Sequence, residues 1–346
     1  MGSKRKKDKE ESNVILSEEE FLADLTVDIN KEFGDEGTMI LGGSETGDVK
    51  HWVSSGHPFI DAVLGKGLPF GRIVEVYGPE SNGKTTLAIS VIAQSQKMGA
   101  TTIFLDTEHA LSKQRAQDIG VDLKKLLYAQ PGTMEDVFDY VEKIIEKIKK
   151  RDPERLVTIV WDSVAATPTR SEVEGDYGDH NVGIHGRIMS QGFRKITKLI
   201  NSSNVLFICI NQVRDKIGVM FGDKSSTPGG RALKFYASQR IEVKRIGNLK
   251  EGDDVVGIKC KLTAKKNKVA PPFGEAEFAI LFASDVAGID QYNSVLEESF
   301  KAGLLGDSKG YMLYKGKNYR KKELAKYFRE NPDEWATMVD TYMSTQ

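Results

Sequence analysis

The chain contains few of the residues that hold small secreted or metal-dependent folds together. Its 346 residues include two cysteines and five histidines, and their spacing matches neither a disulfide framework nor a metal site. We therefore expect Cys209 and Cys260, which lie in apolar or strand-like segments, to be buried free thiols. Because a chain of this length can bury a sizeable core without disulfides or metals, its composition indicates a globular protein of about two domains.

Long apolar stretches are also missing. The longest purely apolar run, Val205–Ile210, is much shorter than a membrane span. No apolar segment follows the basic residues Lys4–Lys7, so we expect no secretory signal. Lys6 occupies the position where N-myristoylation requires Ser or Thr. These features predict a cytoplasmic protein.

The chain has almost no net charge, −1 from 49 Lys+Arg against 50 Asp+Glu. Taken alone, this balance disfavours a strongly nucleic-acid-binding protein. The charges are unevenly distributed, however. Residues 10–36 carry ten acids and one base, residues 231–268 carry eleven bases and four acids, and residues 309–329 carry eight bases and one acid. Each run alone is consistent with a solvated face, but three such segments favour local charged binding surfaces.

Short apolar segments alternate with helical patterns through the middle of the chain. The segments typical of strands are Ile73–Tyr77, Thr101–Asp106, Leu156–Trp161 and Val205–Ile210. Apolar strands separated by helices predict a parallel sheet that is covered on both faces. Two further strands, Ile241–Ile246 and Val255–Ala264, follow each other without a helix and should extend the sheet. Before this region, Ser17 and Glu20 form a capping box that predicts a helix up to Gly34.

The segment Gly78–Thr85 matches the phosphate-binding pattern G-x-x-x-x-G-K-[ST] between a predicted strand and a predicted helix. Its glycines allow backbone N–H groups to face phosphate oxygens, and the helix N-terminus adds positive potential. Lys84 is expected to reach the β- and γ-phosphates, and the Thr85 hydroxyl is expected to bind Mg²⁺. The alternative, a glycine turn without a ligand, is disfavoured by the flanking elements.

Three other strand ends carry candidate catalytic groups. Asp162 follows an apolar strand, as the second Mg²⁺ anchor of such ATPases does. Glu108, after the strand that ends at Asp106, is a candidate to orient or deprotonate the attacking water, or else it is a surface carboxylate near a helix start. Gln212 is equally compatible with a γ-phosphate contact and with an ordinary loop residue.

Two long segments, 172–183 and 213–230, contain several glycines and are predicted to be loops. Loops of this length are usually functional. Cations that hold phosphates and apolar groups that insert among bases suit single-stranded nucleic acid. We therefore predict that both loops bind a single strand.

The chain resembles the bacterial RecA recombinase family, as a phage-borne or divergent member, from about residue 51 to at least residue 282. The resemblance rests on motifs distributed over this length: Leu68–Thr86, Asp106–Leu111, Asp162–Ala166, Glu174-Gly175, Met189–Gln191, Ile210–Gln212, Lys216–Gly222, Gly229-Gly230, Ala232–Ser238, Arg245–Gly247 and Lys266–Lys268. A generic P-loop kinase would not share the run Lys216–Gly222, so the combination is specific.

The resemblance implies an α/β fold, with a RecA-type P-loop ATPase core in which helices flank a mostly parallel sheet. The implied domains are 1–50, a basic tail and polymerisation helix; 51–288, the core; and 289–346, a small α+β domain. The implied activity is homologous DNA strand exchange with DNA-stimulated hydrolysis of ATP, aided by Mg²⁺. The implied partners are single-stranded and double-stranded DNA, further copies in a helical filament, and single-strand-binding and loader proteins. The implied location is the cytoplasm of a bacterial cell.

The resemblance also assigns roles to single residues. Glu108 would be the catalytic glutamate, Gln212 the γ-phosphate sensor, and Lys266 and Lys268 would reach the phosphates of a neighbouring subunit, as an arginine finger does. The implied ATP site comprises Gly78, Pro79, Glu80, Ser81, Asn82, Gly83, Lys84, Thr85, Thr86, Arg115, Asp162 and Phe282, with Thr85 and Asp162 as Mg²⁺ ligands. The implied DNA-binding residues are Val182, Arg187, Ser190, Arg194, Arg214, Lys216, Ile217, Phe221, Gly229, Gly230 and Arg231.

Departures from the family pattern concern the base pocket and the second loop. Arg115 replaces a stacking Tyr and Ser112 an adenine-contacting Asp, which puts base selectivity in doubt. Asp215 and Pro228 replace an apolar residue and a Thr, and the family's long acidic tail is absent. The alternatives to a recombinase are a RecA-fold helicase or motor, and a P-loop phosphotransferase or filament-forming structural protein.

Overall fold

The computed structural model describes residues 17–33, 48–176, 183–215, 225–226, 228–283, 287–308 and 310–344. The chain divides into two units at residues 48 and 49. In the first unit, helix α1 (Glu18–Phe33) begins with the predicted capping box, because Glu20 accepts from the Ser17 N–H at 2.9 Å and the Glu20 N–H donates to Ser17 Oγ at 3.3 Å. The predicted stop at Gly34 lies outside the described residues.

The second unit begins with alternating strands and helices. These are β1 (Trp52–Val53), α2 (Pro58–Leu64), β2 (Leu68–Pro69), β3 (Arg72–Gly78), α3 (Lys84–Lys97), β4 (Thr101–Asp106), α4 (Lys113–Ile119), β5 (Leu126–Ala129), α5 (Met134–Arg151), β6 (Val157–Asp162), α6 (Arg170–Glu174), α7 (Ile184–Asn201) and β7 (Val205–Gln212). They are followed by β8 (Arg214–Asp215), β9 (Ser225–Ser226), α8 (Ala232–Tyr236), β10 (Gln239–Glu251), β11 (Asp254–Asn267), β12 (Glu275–Leu281) and β13 (Gly288–Ile289).

A nine-stranded sheet in the order β13-β12-β11-β10-β3-β7-β6-β4-β5 organises this unit. The pairs from β10 to β5 are parallel, and the pairs from β10 to β13 are antiparallel. The predicted parallel sheet with an extension that lacks helices is therefore confirmed. The predicted bounds of β10 and β11 are too short. β10 continues to Glu251 in an exposed hairpin where the apolar pattern ends, and at the opposite end Gln239 and Arg240 pair with Asn267 and Lys266.

Helices cover both faces of the sheet. On one face α3 packs with buried residues of β3, β7 and β11, and on the other face α5 and α7 pack on Trp161 and Phe207. The helices α5 and α7 approach closely at Gly192, where any Cβ would clash with the Phe138 ring. This packing fixes the middle of α7 against α5.

The C-terminal part contains α9 (Gln291–Lys301), β14 (Gly306–Ser308), β15 (Tyr311–Tyr314), β16 (Lys317–Tyr319), α10 (Lys321–Glu330) and α11 (Pro332–Met343). Its buried residues form a separate cluster that includes Leu296, Phe328 and Trp335. Asp290 caps α9 by accepting from the N–H groups of Tyr292 and Asn293. The expected small α+β region is present, and its boundary at 288/289 stays a prediction.

Both cysteines are buried and free, as predicted. Burial raises the pKa of the Cys260 thiol to about 12, so it stays protonated at neutral pH. Among the residues that the structure describes, no helix combines the length and the apolar character that crossing a membrane requires.

Candidate nucleotide site and DNA loops

The phosphate loop connects the end of β3 to the start of α3, as the sequence predicts. Gly83, at φ +89°, adopts a left-handed conformation that a side chain would strain. Gly78 lies against the Val243 carbonyl, where a Cβ would clash. The first N–H groups of α3, which begins at Lys84, lack intrahelical partners, and such groups at a helix N-terminus bind anions. The loop therefore fits a nucleotide's phosphates.

Lys84, the first residue of α3, is buried, with 7% of its surface exposed. Its ammonium group donates to the Pro79 carbonyl at 2.6 Å. Burial lowers the pKa of Lys84, while the carboxylates of Asp162, Glu108 and Glu80 raise it. The ammonium group therefore stands inside the loop, among acidic groups that favour its charged form.

Thr85 and Asp162 lie next to each other, because Thr85 Oγ1 donates to Asp162 Oδ2 at 2.7 Å. Burial is the main cause that raises the pKa of Asp162 to about 6, with smaller contributions from Glu108 and Asp106. A hydroxyl and one carboxylate are the few protein oxygens that Mg²⁺ uses when nucleotide phosphates and water complete its shell. In the described ranges no three His, Cys, Asp or Glu side chains gather as a dedicated metal cage. The residues present fit Mg²⁺ bound together with a nucleotide.

Glu108 and Gln212 come from strands that are not neighbours, β4 and β7, yet their side chains are in contact. Gln212 Nε2 donates to Glu108 Oε1 at 3.1 Å. The Ser163 hydroxyl, which follows β6, donates to the same oxygen. The sequence predicted Glu108 and Gln212 as candidates but gave no role to Ser163. The position of Ser163 directly after Asp162, at the end of β6, was the only feature of the sequence that could have indicated such a role.

Asn211 joins the two ends of the loop 213–227. Its buried amide nitrogen donates to the Pro228 carbonyl at 3.1 Å and to Glu75 Oε1 at 3.2 Å, and its Oδ1 accepts from the Gln212 N–H at 3.0 Å. Glu75 also forms a buried ion pair with Arg240. Sequence reasoning missed Asn211 as an anchor of the loop.

A pocket of about 330 Å³ opens beside the phosphate loop. Arg115 and Phe282 both line it, with the guanidinium carbon 5.9 Å from the ring centroid. The apolar side chains of Ile258 and Ile280 complete its wall. Ser112 caps α4 by accepting from the Arg115 N–H at 3.3 Å. Arg115 and Phe282 thus offer this pocket a cation and an aromatic ring on which a nucleotide base can stack.

Lys266 and Lys268 do not line the nucleotide pocket of their own chain. Lys266 Nζ donates to the carbonyls of Lys234 and Phe235 at 2.8 and 2.9 Å, at the end of α8. Burial, together with the neighbouring cations of Lys268 and Arg240, lowers the pKa of Lys266 to about 8. Phe235 is 72% exposed, so Lys266 lies beside an exposed aromatic residue.

One face of α7 carries exposed Arg187 and Arg194 and half-buried Ser190. The end of the second loop packs against the same turns, because a Cβ on Gly230 would lie 3.5 Å from the Gly186 Cα. The structure thereby brings two parts of the predicted DNA set together, the α7 residues and the segment 229–231. The predicted residues Val182, Lys216, Ile217 and Phe221 lie outside the described residues, and only the backbone of Arg214, in β8, is described.

The strand order, the phosphate loop and the acidic strand ends define a P-loop ATPase. Residues 21–287 match the family described as the RecA N-terminal domain. The chain is 43% identical over 319 residues to Protein RecA of Haemophilus ducreyi, covering 91% of this chain and 83% of that relative. It is 44% identical over 313 residues to Protein RecA of Pseudomonas fluorescens, covering 90% and 86%. The chain belongs to the RecA family.

Membership of the RecA family defines the activity of the chain as well as its fold. The chain is a DNA-dependent ATPase that uses ATP with Mg²⁺, binds single-stranded and double-stranded DNA, forms filaments and acts in homologous recombination and DNA repair. The expected recombinase is thus confirmed over the helicase and phosphotransferase alternatives.

Proposed function

We propose that ATP hydrolysis by this recombinase depends on the contact between Glu108 and Gln212 beside the pair Thr85 and Asp162. Glu108 accepts a proton from, or orients, the water that attacks the γ-phosphate. Ser163 and Gln212 hold its carboxylate by hydrogen bonds to one oxygen. The other oxygen is the one that meets the water.

The phosphate-binding residues act by position and charge. Backbone N–H groups of residues 78–86 hold the phosphates, and Lys84 stabilises the charge that develops at the γ-phosphate. Thr85 and Asp162 would hold Mg²⁺, which would supply positive charge to the nucleotide's phosphates. Arg115 and Phe282 hold the base in the adjacent pocket.

The cations that complete the reaction come from a second copy of the chain. Lys266 and Lys268 lie outside their own nucleotide pocket, and their cations suit contact with the phosphates bound by a neighbouring subunit. Hydrolysis is then possible only in the assembled filament. This explains why a free subunit would not consume ATP.

DNA is held by the face of α7 together with the second loop. Arg187, Ser190 and Arg194 supply donors to phosphates, and residues 229–231 close the surface. Residues 182, 214, 216, 217 and 221 of the two loops are further DNA-binding residues, as the family resemblance implies. DNA binding changes the loop that begins at Gln212, and Asn211 transmits that change to the Glu108 contact.

Several broader assignments belong to the same proposal. The domain boundaries are 50/51 and 288/289, and the N-terminal helix serves polymerisation. The protein works in the cytoplasm of a bacterial cell, as its bacterial relatives suggest, and is encoded by a phage or a divergent lineage. Single-strand-binding and loader proteins are its further partners.

The decisive experiment compares ATP hydrolysis by the wild-type chain and by Glu108→Gln, with and without single-stranded DNA. We expect strong DNA stimulation in the wild type, and in Glu108→Gln stable ATP-bound filaments with hydrolysis reduced by about 100-fold or more. Rapid hydrolysis by Glu108→Gln would remove Glu108 from the mechanism. A D-loop assay with homologous and heterologous duplex measures strand exchange on the same preparations.

A further inference from the structure

Asp106, the last residue of β4, uses both carboxylate oxygens to hold the turn that follows it. Oδ1 accepts from the Ala110 N–H at 3.3 Å, and Oδ2 accepts from the Leu111 N–H at 3.1 Å. Oδ2 also accepts from the Tyr128 hydroxyl at 2.9 Å. The side chain is 1% exposed. Asp106 therefore acts on the turn rather than on a ligand.

Glu108 lies in the turn that Asp106 holds, and the residues on both sides of Glu108 have defined positions. On one side the Thr107 N–H donates to the Asp162 carbonyl at 2.8 Å, and the Thr107 hydroxyl donates to the same carbonyl at 3.1 Å. On the other side, His109 adopts a left-handed conformation at φ +56° before the chain returns to Asp106. The direction of the Glu108 side chain therefore depends on the bonds to Asp106.

Tyr128 reaches Asp106 from the edge of the sheet. It lies on β5, which pairs with β4 alone, and its side chain is 47% exposed. Gln130 Nε2 donates to the Tyr128 hydroxyl oxygen at 2.7 Å. Because this donor approaches the oxygen, the hydroxyl's own proton is directed to Asp106. A two-bond chain thus runs from Gln130 through Tyr128 to the turn.

We propose that Tyr128 is a positioning residue for ATP hydrolysis. Its hydroxyl fixes the carboxylate of Asp106, which fixes the turn and thereby the Glu108 side chain against Gln212. Tyr128 does not line the nucleotide pocket, and within the described residues its hydroxyl bonds Asp106 and Gln130. Its effect is therefore confined to the hydrolytic step. The inference rests on the proposed role of Glu108.

The test is Tyr128→Phe, which removes only the hydroxyl and keeps the ring and the strand pairing. Misplacement of a catalytic group is costly, so we expect kcat for DNA-stimulated ATP hydrolysis to fall about tenfold. The KM for ATP and the affinity for single-stranded DNA should stay within about twofold. Gln130→Ala should give a smaller fall in kcat, since it removes only the group that orients the hydroxyl. Tyr140→Phe, at an exposed tyrosine of α5, is the matched control and should hydrolyse ATP normally.

Two results would overturn this role. One is a normal kcat in Tyr128→Phe. The other is a loss of kcat accompanied by a comparable rise in KM and by a lower thermal stability than that of Tyr140→Phe, which would indicate a merely structural contact. Glu108→Gln is measured in parallel. If it hydrolyses ATP normally, the proposed function fails; if it is inactive while Tyr128→Phe is normal, only the positioning role fails.

Discussion

Gln212 donates a hydrogen bond to Glu108 across the end of the intervening strand β6, and it directly precedes the loop 213–227. The contact joins the proposed catalytic carboxylate to the segment that we propose binds DNA. In that proposal a single side chain belongs to both functions of the molecule. Removing it should separate ATP binding from the response to DNA.

We predict that Gln212→Ala binds ATP normally but loses DNA stimulation. Without the amide, Glu108 keeps only the Ser163 hydrogen bond, and the loop no longer contacts the carboxylate. The ratio of hydrolysis rates with and without single-stranded DNA should fall by about tenfold or more. Steady-state ATPase assays over a range of DNA concentrations measure this ratio. Undiminished stimulation would show that the DNA signal takes another route.

A mixing experiment tests whether the lysines act across subunits. The double variant Lys266→Ala, Lys268→Ala and the variant Glu108→Gln should each be nearly inactive alone. In mixed filaments, some interfaces combine the intact Glu108 of one subunit with the intact lysines of its neighbour. We therefore expect ATP hydrolysis to reappear on mixing. If the mixture stays as inactive as its components while both still bind DNA, the lysines do not act in trans.

Arg115 should contribute to ATP binding rather than to hydrolysis. Its guanidinium lines the nucleotide pocket, 5.9 Å from the Phe282 ring centroid, where it can stack on a nucleotide base. Arg115→Ala is expected to raise the KM for ATP about fivefold with little change in kcat. Parallel measurements with GTP determine whether the loss is specific to adenine. An unchanged KM for both nucleotides would place the base elsewhere.

Stability should decrease in mild acid because of His57. Burial lowers the pKa of this imidazole to about 3, and neither ring nitrogen has a hydrogen-bond partner in the described part of the chain. The unfolded chain binds a proton near the ordinary pKa of about 6.5, while the folded chain does not, so stability falls progressively as pH drops below that value. At pH 5 the loss should be about 2 kcal/mol.

The measurement is urea unfolding at pH 7.5 and at pH 5, for the wild type and for His57→Leu. The variant replaces the imidazole, which contacts the rings of Phe59 and Phe278, with an apolar side chain that cannot bind a proton. It should lose less stability between the two pH values than the wild type. An equal loss in both proteins would assign the acid sensitivity to other groups.

The sequence was sufficient for the elements whose patterns are local. The strand before Gly78, the helix after Lys84 and the acidic end at Asp162 are confirmed because apolar runs and glycine turns determine them directly. The short edge strand β5 was not predicted, since it has only four residues and its central side chains, Leu127 and Tyr128, are largely exposed.

Relationships between distant residues could not be predicted in the same way. The contact of Glu108 with Gln212 requires the strand order β7-β6-β4, which no local pattern specifies. Asn211 acquires its role from Glu75, which lies 136 positions earlier in the chain. A small amide or hydroxyl gives no signal until the sheet brings its partner close. The residue roles that the family resemblance supplied stay predictions, and the experiments above test them.

The bond from Asn211 to the Pro228 carbonyl closes the loop 213–227 at its base. The loop can therefore vary in length and composition while Asn211 holds its two ends and the position of Gln212 unchanged. Substitutions within the loop, such as Asp215, would then alter the proposed DNA binding without altering the ATP site. New DNA-binding behaviour can thus arise in a recombinase whose hydrolytic residues stay the same.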